Sequence, residues 1–570
     1  MAFQLSPGVL VTEKDLTSVV PAVATTAGGF AGAFEWGPVG QVVTIDSENK
    51  LVEVFGKPNS NTFASFFTAA NFLSYGNNLQ VVRSVNEGTA KNAVTSGTAL
   101  LIKNEDTYLD QYADGSASVG TWAAKYPGIL GNDLIVYMYD GNTTANSTIT
   151  FANTNTSVTV SALFDSVPGT STYASGRGGK YDEMHIAIID GQLGRITGTP
   201  GTVLEKFSFV SKASDAKRSD GSSAYYKDVV NNQSKYIWWM DHPANAANTN
   251  WGSQAAGITF GNLTSNAYAT LSGGVSSDIP TDGNLMTSFA IFANDEAYDV
   301  SLIPLGNVSS TVATYVINNV AEVRKDCLVF VSPELTDVLN NANSEATDVT
   351  GFRDVLPSTS YAVLDSGWKY QYDRYNDVYR WIPLNGDIAG LAVRTDFVAD
   401  PWFSPAGFNR GQIKNVVKLA YSPSRTDRDT LYKKGVNPVV SFPGQGTVLY
   451  GDKTLLAKPS AFDRINVRRL FIVLEKAIAT ASKFQLFEFN DAFTRAQFRN
   501  LVEPFLRDVQ GRRGIIDFKV VCDETNNTGE VIDRNEFVAD IFVKPARSIN
   551  FIQLNFIATR TGISFEEVGA

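Results

Sequence analysis

Strand-like and helix-like patterns alternate on both sides of a long stretch that lacks the alternation, and this interruption constrains the fold of the 570-residue chain more than any other feature. From Gly28, GGFAGAF reads as a buried strand, Gly37 and Pro38 turn the chain, and QVVTI is a second strand ahead of a Ser47 helix cap. Residues 62–75 then set Phe63, Phe66, Phe67, Ala70 and Leu73 at helical spacing, with Gly76 expected as a left-handed C-cap, before the strand LQVVRSV. The alternation resumes after residue 275. DVSLIPLG is a strand, Ser309 to Asp326 is a helix with Val312, Tyr315, Val316, Asn319, Val320 and Val323 on one stripe, and CLVFVSP is the next strand. A strand, helix, strand unit of this kind builds a parallel sheet with the helix crossing its face. Residues 28–95 and 276–400 therefore read as one α/β core domain, split by an insertion.

The insertion, residues 96–275, consists of short strands separated by Gly, Asn, Thr and Ser, as in DGNTTANSTITFANTNTSVTVS, and reads as an all-β surface domain. Residues 401–559 form a C-terminal α+β domain. Ser460 and Asp463 open a helix in the manner of a capping box, and Val467, Leu470, Phe471, Leu474, Ala477, Ile478 and Ala481 make its apolar stripe. A second helix near 491–510 buries Phe498, Leu501, Val502, Phe505 and Val509 and exposes a row of Arg495, Arg499, Glu503 and Arg507, followed by Arg512 and Arg513. Three strands follow: IIDFKVVC, EFVADIFVKP and SINFIQLNFIA. The two chain ends differ from everything between them. Val9 to Thr12 and the closing GISFEEV are short strands without local partners, so residues 1–27 read as an arm with a linker and 560–570 as a second arm. The fold class is thus multidomain α/β and α+β: a split α/β core, a β-rich outer insertion, and a C-terminal α+β domain flanked by extended arms.

Little in the chain supports catalysis. His185 and His242 are its only histidines; the first lies in the apolar run MHIAIID and the second precedes a proline, which suits structural roles better than acid–base ones. Two cysteines in separate apolar runs argue against a disulfide framework, and no His and Cys cluster has zinc spacing. SGRGGKYD lacks the spacing of a phosphate-binding loop, and SFPGQGTVLYG lacks a dinucleotide fingerprint's third glycine and helix. Asp427 and Asp429, interleaved with Arg425 and Arg428, read as a salt-bridged loop. No cofactor or metal is expected. The N-terminus lacks the basic and apolar regions of a signal peptide, and no run of eighteen apolar residues occurs, so no membrane insertion is expected. The net charge of −11 is uneven: residues 401–570 hold 24 Lys+Arg against 18 Asp+Glu, which leaves 23 against 40 for residues 1–400. The basic C-terminal part suits an acidic protein partner. An acidic chain without aromatics among its arginines does not suit nucleic acid.

Taken together, SPGVLVTE before a Gly/Ala-rich strand, the DPWFSPAGFNRG segment, and the run from INVRRLFIVLEKAI to PARSINFIQLNFIATRTG resemble the tail sheath proteins of contractile-tailed phages. The resemblance covers roughly residues 1–95 and 285–570 and leaves the insertion unmatched, as in the family's variable outer domains. It implies a subunit assembled in host cytoplasm into the virion's tail. Its partners would be copies of itself in stacked hexameric rings, a tail tube protein, and baseplate and tail terminator proteins. It also implies arms that add strands to neighbouring subunits: Val9, Leu10, Val11, Thr12 and Glu13 at one end, and Ile563, Ser564, Phe565, Glu566, Glu567 and Val568 at the other. Their acceptor would be the C-terminal sheet with Phe518, Val520, Phe537, Ile541, Ile549, Phe551, Leu554 and Phe556. The tube would face Arg495, Arg499, Arg507, Arg512 and Arg513. Two other readings stand beside this one: a sheath from a secretion or bacteriocin-like apparatus, and an extracellular hydrolase or adhesin with a β-rich appendage. The scarcity of histidine and the lack of a nucleophile elbow weigh against the last.

Overall fold

The computed structural model describes residues 24–141, 148–151, 156–243, 250–263 and 267–554. These form two compact units, residues 24–398 with 405–463, and residues 399–404 with 464–554. The expected arms, Val9–Glu13 and Ile563–Val568, lie outside the described residues, as does Phe556.

The larger unit is organised by a seven-stranded sheet. Its strands are β1 (Gly28–Gly32), β2 (Val42–Ile45), β3 (Leu79–Arg83), β4 (Leu302–Pro304), β5 (Leu328–Val331), β6 (Ala362–Asp365) and β7 (Val436–Asn437), in the order β7-β6-β5-β4-β1-β3-β2. All neighbours are parallel except β2 and β3. β1 pairs with β4 at Gly28 and Leu302, so strands from either side of the insertion share one sheet. Helices cover both faces, which is why the central strands read as unbroken apolar runs. Gly28 and Gly32 face helix α1 (Phe63–Leu73), while Gly29 faces Phe292 and Val300 on the opposite side. A Cβ on Gly28 would sit 2.6 Å from Phe72, so the close approach of helix to strand requires glycine.

Two helix expectations need correction. Helix α1 ends at Ser74 in right-handed conformation, and Gly76 is not left-handed. Its glycine serves packing instead: an added Cβ would meet Val393 Cγ1 at 2.7 Å, on helix α3 (Asn385–Val398). The crossover helix α2 (Ser310–Val316) is capped by Ser309, whose hydroxyl accepts from Val312 N–H at 3.3 Å, and it continues as a π-turn over Ile317–Ala321. Val312, Val316 and Val320 are buried, whereas Asn319 and Val323 are exposed, because the wider π-turn shifts the phase of the stripe.

The insertion is not all-β. A four-stranded antiparallel sheet, ordered Ala267–Thr270, Leu134–Tyr139, Glu183–Asp190, Val203–Ser211, is joined by helices Glu105–Gln111 and Tyr226–Gln233. It has a core of its own, centred on Trp122, Val136, Ile186, Ile188 and Tyr226. Turn-rich composition conceals these helices because each is only two turns long and packs through a few large side chains. Residues 405–463, expected within the C-terminal domain, belong to the larger unit, where β7 extends the sheet. There, Arg425–Lys433 is a helix capped reciprocally by Ser424 and Asp427, not a salt-bridged loop.

Buried charges in the larger unit are paired or solvated by backbone, as burial requires. Lys369 and Asp387 form an ion pair of 2.9 Å with both side chains fully enclosed, and Tyr75 donates its hydroxyl to Asp387 at 3.2 Å. Arg83 donates to the carbonyls of Phe34, Glu35, Gly37 and Pro127, which ties the exit of β1 to the insertion. Beside it, burial and then the charge of Asp278 push the Glu35 carboxyl up to about 7.

Candidate assembly surface

The smaller unit packs two helices on a two-stranded sheet. Helix α4 (Ile465–Ser482) and helix α5 (Ala492–Gly511) turn Leu470, Leu474, Ile478, Phe498, Val502, Leu506 and Val509 into a shared core with Trp402, Ile515 and Cys522. Helix α5 starts cleanly because Asp491 accepts from Thr494 N–H at 2.8 Å. The α4 start differs from expectation: Arg464 is the N-cap and its side chain does not cap the helix, while Ser460 accepts from Phe462 N–H.

Strands β8 (Ile515–Val521) and β9 (Asp540–Pro545) are antiparallel, with Phe518 opposite Val543 and Val520 opposite Ile541. Alternation sends Phe518, Val520, Ile541 and Val543, with Phe537, against the helical core. The other face exposes Ile516 and Phe542 among Asp517, Lys519 and Lys544. Neither strand has a second ladder partner among the described residues, so the sheet presents two outer edges.

The third expected strand does not form over 548–554. There the chain is non-repetitive, with Ile549, Phe551 and Leu554 largely exposed. The ladder ends at Pro545, opposite the first residue of β8, and alternating sequence does not by itself supply an edge to pair with.

The arginine row is divided by the fold. Arg495 points inward, only 6% exposed, and donates to the carbonyl and side-chain oxygens of Asn490 at 3.2 and 2.8 Å, so it is not a surface residue. Regular spacing along a helix does not reveal that the preceding loop folds back over its first turn. Arg499 is half-buried, while Arg507, Arg512 and Arg513 are exposed. Arg512 is already engaged, paired with Asp400 and placed 5.2 Å over the Trp402 ring, whose Nε1 donates to the Arg512 carbonyl at 3.1 Å. Next to these groups, Asn500, Glu503, Pro504, Arg507, Asp508, Gly511 and Arg512 line an open groove of about 520 Å3. A mixture of both charge signs around an open groove suits a protein surface better than a small substrate.

The groups considered for catalysis are structural. The His185 ring donates from Nε2 to the Ser166 carbonyl and accepts at Nδ1 from Phe209 N–H, both at 2.9 Å, and burial holds its pKa below the usual histidine range. His242 is bonded to the Tyr226 hydroxyl at 2.6 Å. Cys327 and Cys522 are buried, and neither is in a disulfide. Among the described residues, no group of three or more His, Cys, Asp or Glu is arranged to hold a metal ion, and no helix is long and apolar enough to cross a membrane.

Comparison with known proteins accounts for this arrangement. Three family profiles match: the Tail sheath protein Gp18 domain III N-terminal region over residues 26–83, the Phage tail sheath protein central domain over 283–455, and the Phage tail sheath C-terminal domain over 457–559. The tail sheath proteins of Vibrio phage KVP40 and Enterobacteria phage T4 are 36% and 35% identical, each over 99% of both chains. That of Salmonella phage ViI is 34% identical over all of this chain and 98% of its own. Among solved structures, a sheath tail protein of Listeria innocua matches 91% of this chain and 94% of its own, with a TM-score of 0.53 at 11% identity. The helical sheath of the anti-feeding prophage in its contracted state matches 98% of this chain and all of its own, with a TM-score of 0.50 at 13% identity. Identity above one third along the whole length, with three family profiles in chain order, establishes that this chain belongs to the phage tail sheath protein family.

Proposed function

We propose that this sheath subunit, a structural protein and not an enzyme, polymerises as hexameric rings around a tail tube, and that its terminal arms join neighbouring copies by strand addition. The contractile sheath role comes from its relatives. The observation that carries the finer reading is the β8–β9 sheet, which has two outer edges unpaired among the described residues. An edge strand is a template for another chain, and a native protein leaves it open where such pairing is its purpose. At about 0.5–1.5 kcal/mol net per hydrogen bond, one short added strand contributes a few kcal/mol. Single links of that size yield under strain, while repetition over many subunits keeps the lattice whole.

In this reading Val9–Glu13 and Ile563–Val568 are the added strands, and Phe518, Val520, Phe537 and Ile541 are the packed side of the acceptor. Ile549, Phe551 and Leu554, exposed in the isolated chain, gain cover when a neighbour's arm pairs alongside. Arg499, Arg507 and Arg513 are the arginines available to an acidic tube surface. The assembled sheath is a component of the virion, formed in the host cytoplasm and bounded by baseplate and terminator proteins. Contraction relaxes a metastable extended lattice to one with larger contacts between subunits.

Deletion of residues 1–20 tests the strand addition. The truncated chain should fold, as judged by circular dichroism, yet form no tubular polymer by electron microscopy; polymers that assemble and contract like those of the full chain refute the arm assignment. Charge reversal of Arg507 and Arg513 together should weaken assembly on tubes while leaving tube-free polymerisation intact. Unchanged assembly on tubes removes the arginines from that interface.

A further inference from the structure

The connection between helices α4 and α5 carries Phe484, Leu486, Phe487 and Phe489, and the first turn of α5 adds Phe493; these five side chains are between 64% and 104% exposed. Four phenylalanines, each offering about 150–250 Å2, present on the order of 600 Å2 of apolar surface. Isolated soluble proteins rarely leave this much apolar surface in water on one ten-residue segment, and when they do it marks a site of association.

The loop is also built to hold this display. Asn490 donates from Nδ2 to the Asn527 side chain at 3.1 Å and to the Glu536 carbonyl at 2.8 Å, and it receives the buried Arg495 guanidinium. Asp491, next in the chain, is the N-cap of α5 and accepts from Thr494 N–H. Phe487, the most exposed of the set, has φ +70°, a left-handed backbone that a bulky residue adopts only at a cost in strain. A strained, clamped loop whose apolar tips point to solvent is prepared for a partner before the partner arrives.

We propose that the Phe484–Phe493 loop is a heterologous docking knob, buried in the sheath against a second copy of this chain. The proposal rests on the polymeric reading above. Two observations select a copy as the occupant. The exposed apolar area approaches the roughly 800 Å2 that each partner contributes to a standard specific interface, so it matches a protein surface and not a small ligand. The chain is also similar in fold to the subunit of a solved helical sheath, and a helical array of one chain needs contacts in which a patch meets a different surface of the next copy. A single protruding knob, unlike a flat self-complementary face, has that asymmetry.

The test uses the full chain. The double substitution Phe487→Ser with Phe489→Ser should retain the fold and thermal stability, because both side chains lie in solvent, while raising the concentration needed for polymerisation by about tenfold or more, read by sedimentation. Phe487→Leu, which keeps an apolar tip, should polymerise nearly as the parent does. Polymerisation of the serine variant at the parental concentration overturns the proposal. A second readout uses Phe487→Cys labelled with a thiol-anchored, photoactivatable cross-linker in intact tails, since Cys327 and Cys522 are buried and the photoreactive end can join any neighbouring surface. Covalent multimers of this chain are expected; adducts only to a different tail protein, such as the tube, overturn the proposal. Failure of the unaltered chain to polymerise counts instead against the lattice reading, and the cross-linking of intact tails still decides the role of the loop.

Discussion

Single side chains show how burial sets chemistry that spacing does not reveal. Glu35 follows a strand whose sequence is apolar, and its proximity to Asp278, more than two hundred positions away, exists only in the folded unit. Burial raises its carboxyl from 4.5 to about 7. The folded state therefore holds a proton that the unfolded chain releases between these values, so the stabilising contribution is complete below pH 4.5 and is lost as pH rises through 7. Glu35→Gln should remove that loss: the unfolding free energy at pH 8 should rise by up to about 3 kcal/mol with little change at pH 4.5, measured by denaturant titration at both values. An unchanged slope with pH contradicts the assignment. Arg495 teaches the converse lesson, since its place in a four-residue row reads as exposed until the Asn490 loop is seen to cover it.

At the scale of elements, strong periodicity is read correctly and boundaries are not. Most of the α4 stripe and of the buried set of α5 emerges from helical spacing, because an amphipathic helix records its environment in its own sequence; Phe471 and Phe505 are only half-buried, and Leu506 is buried instead. Ser460 bonds the short turn Ala461–Asp463 and does not cap α4, while Asp491 caps α5, since capping depends on where the backbone enters the helix and not on residue type. Asp491→Ala should therefore lower the stability of the smaller unit by about 0.5–2 kcal/mol, visible as a reduced thermal midpoint; Ser460→Ala should have no comparable effect on α4. The expected strand over 548–558 has the alternation of a strand and no ladder over its described residues, because a strand is completed by a partner outside itself.

For the whole molecule, division into two compact units predicts that the unassembled chain unfolds in more than one step. Calorimetry should resolve at least two transitions, with Asp491→Ala moving only the one that belongs to the smaller unit; a single transition with equal calorimetric and van't Hoff enthalpies contradicts this. The sequence by itself determined the alternation of strand and helix on both sides of an insertion, the apolar faces of α4 and α5, and the resemblance to tail sheath proteins. Each is written locally, in the periodicity or order of nearby residues. Only the tertiary structure decided that β7 adds residues 405–463 to the larger unit, that helices stand inside the insertion, that Arg495 is buried, and that the phenylalanines between α4 and α5 remain in solvent. These depend on which distant surfaces meet, and a side chain's burial is a property of its neighbours in space, which one linear sequence specifies only through the fold.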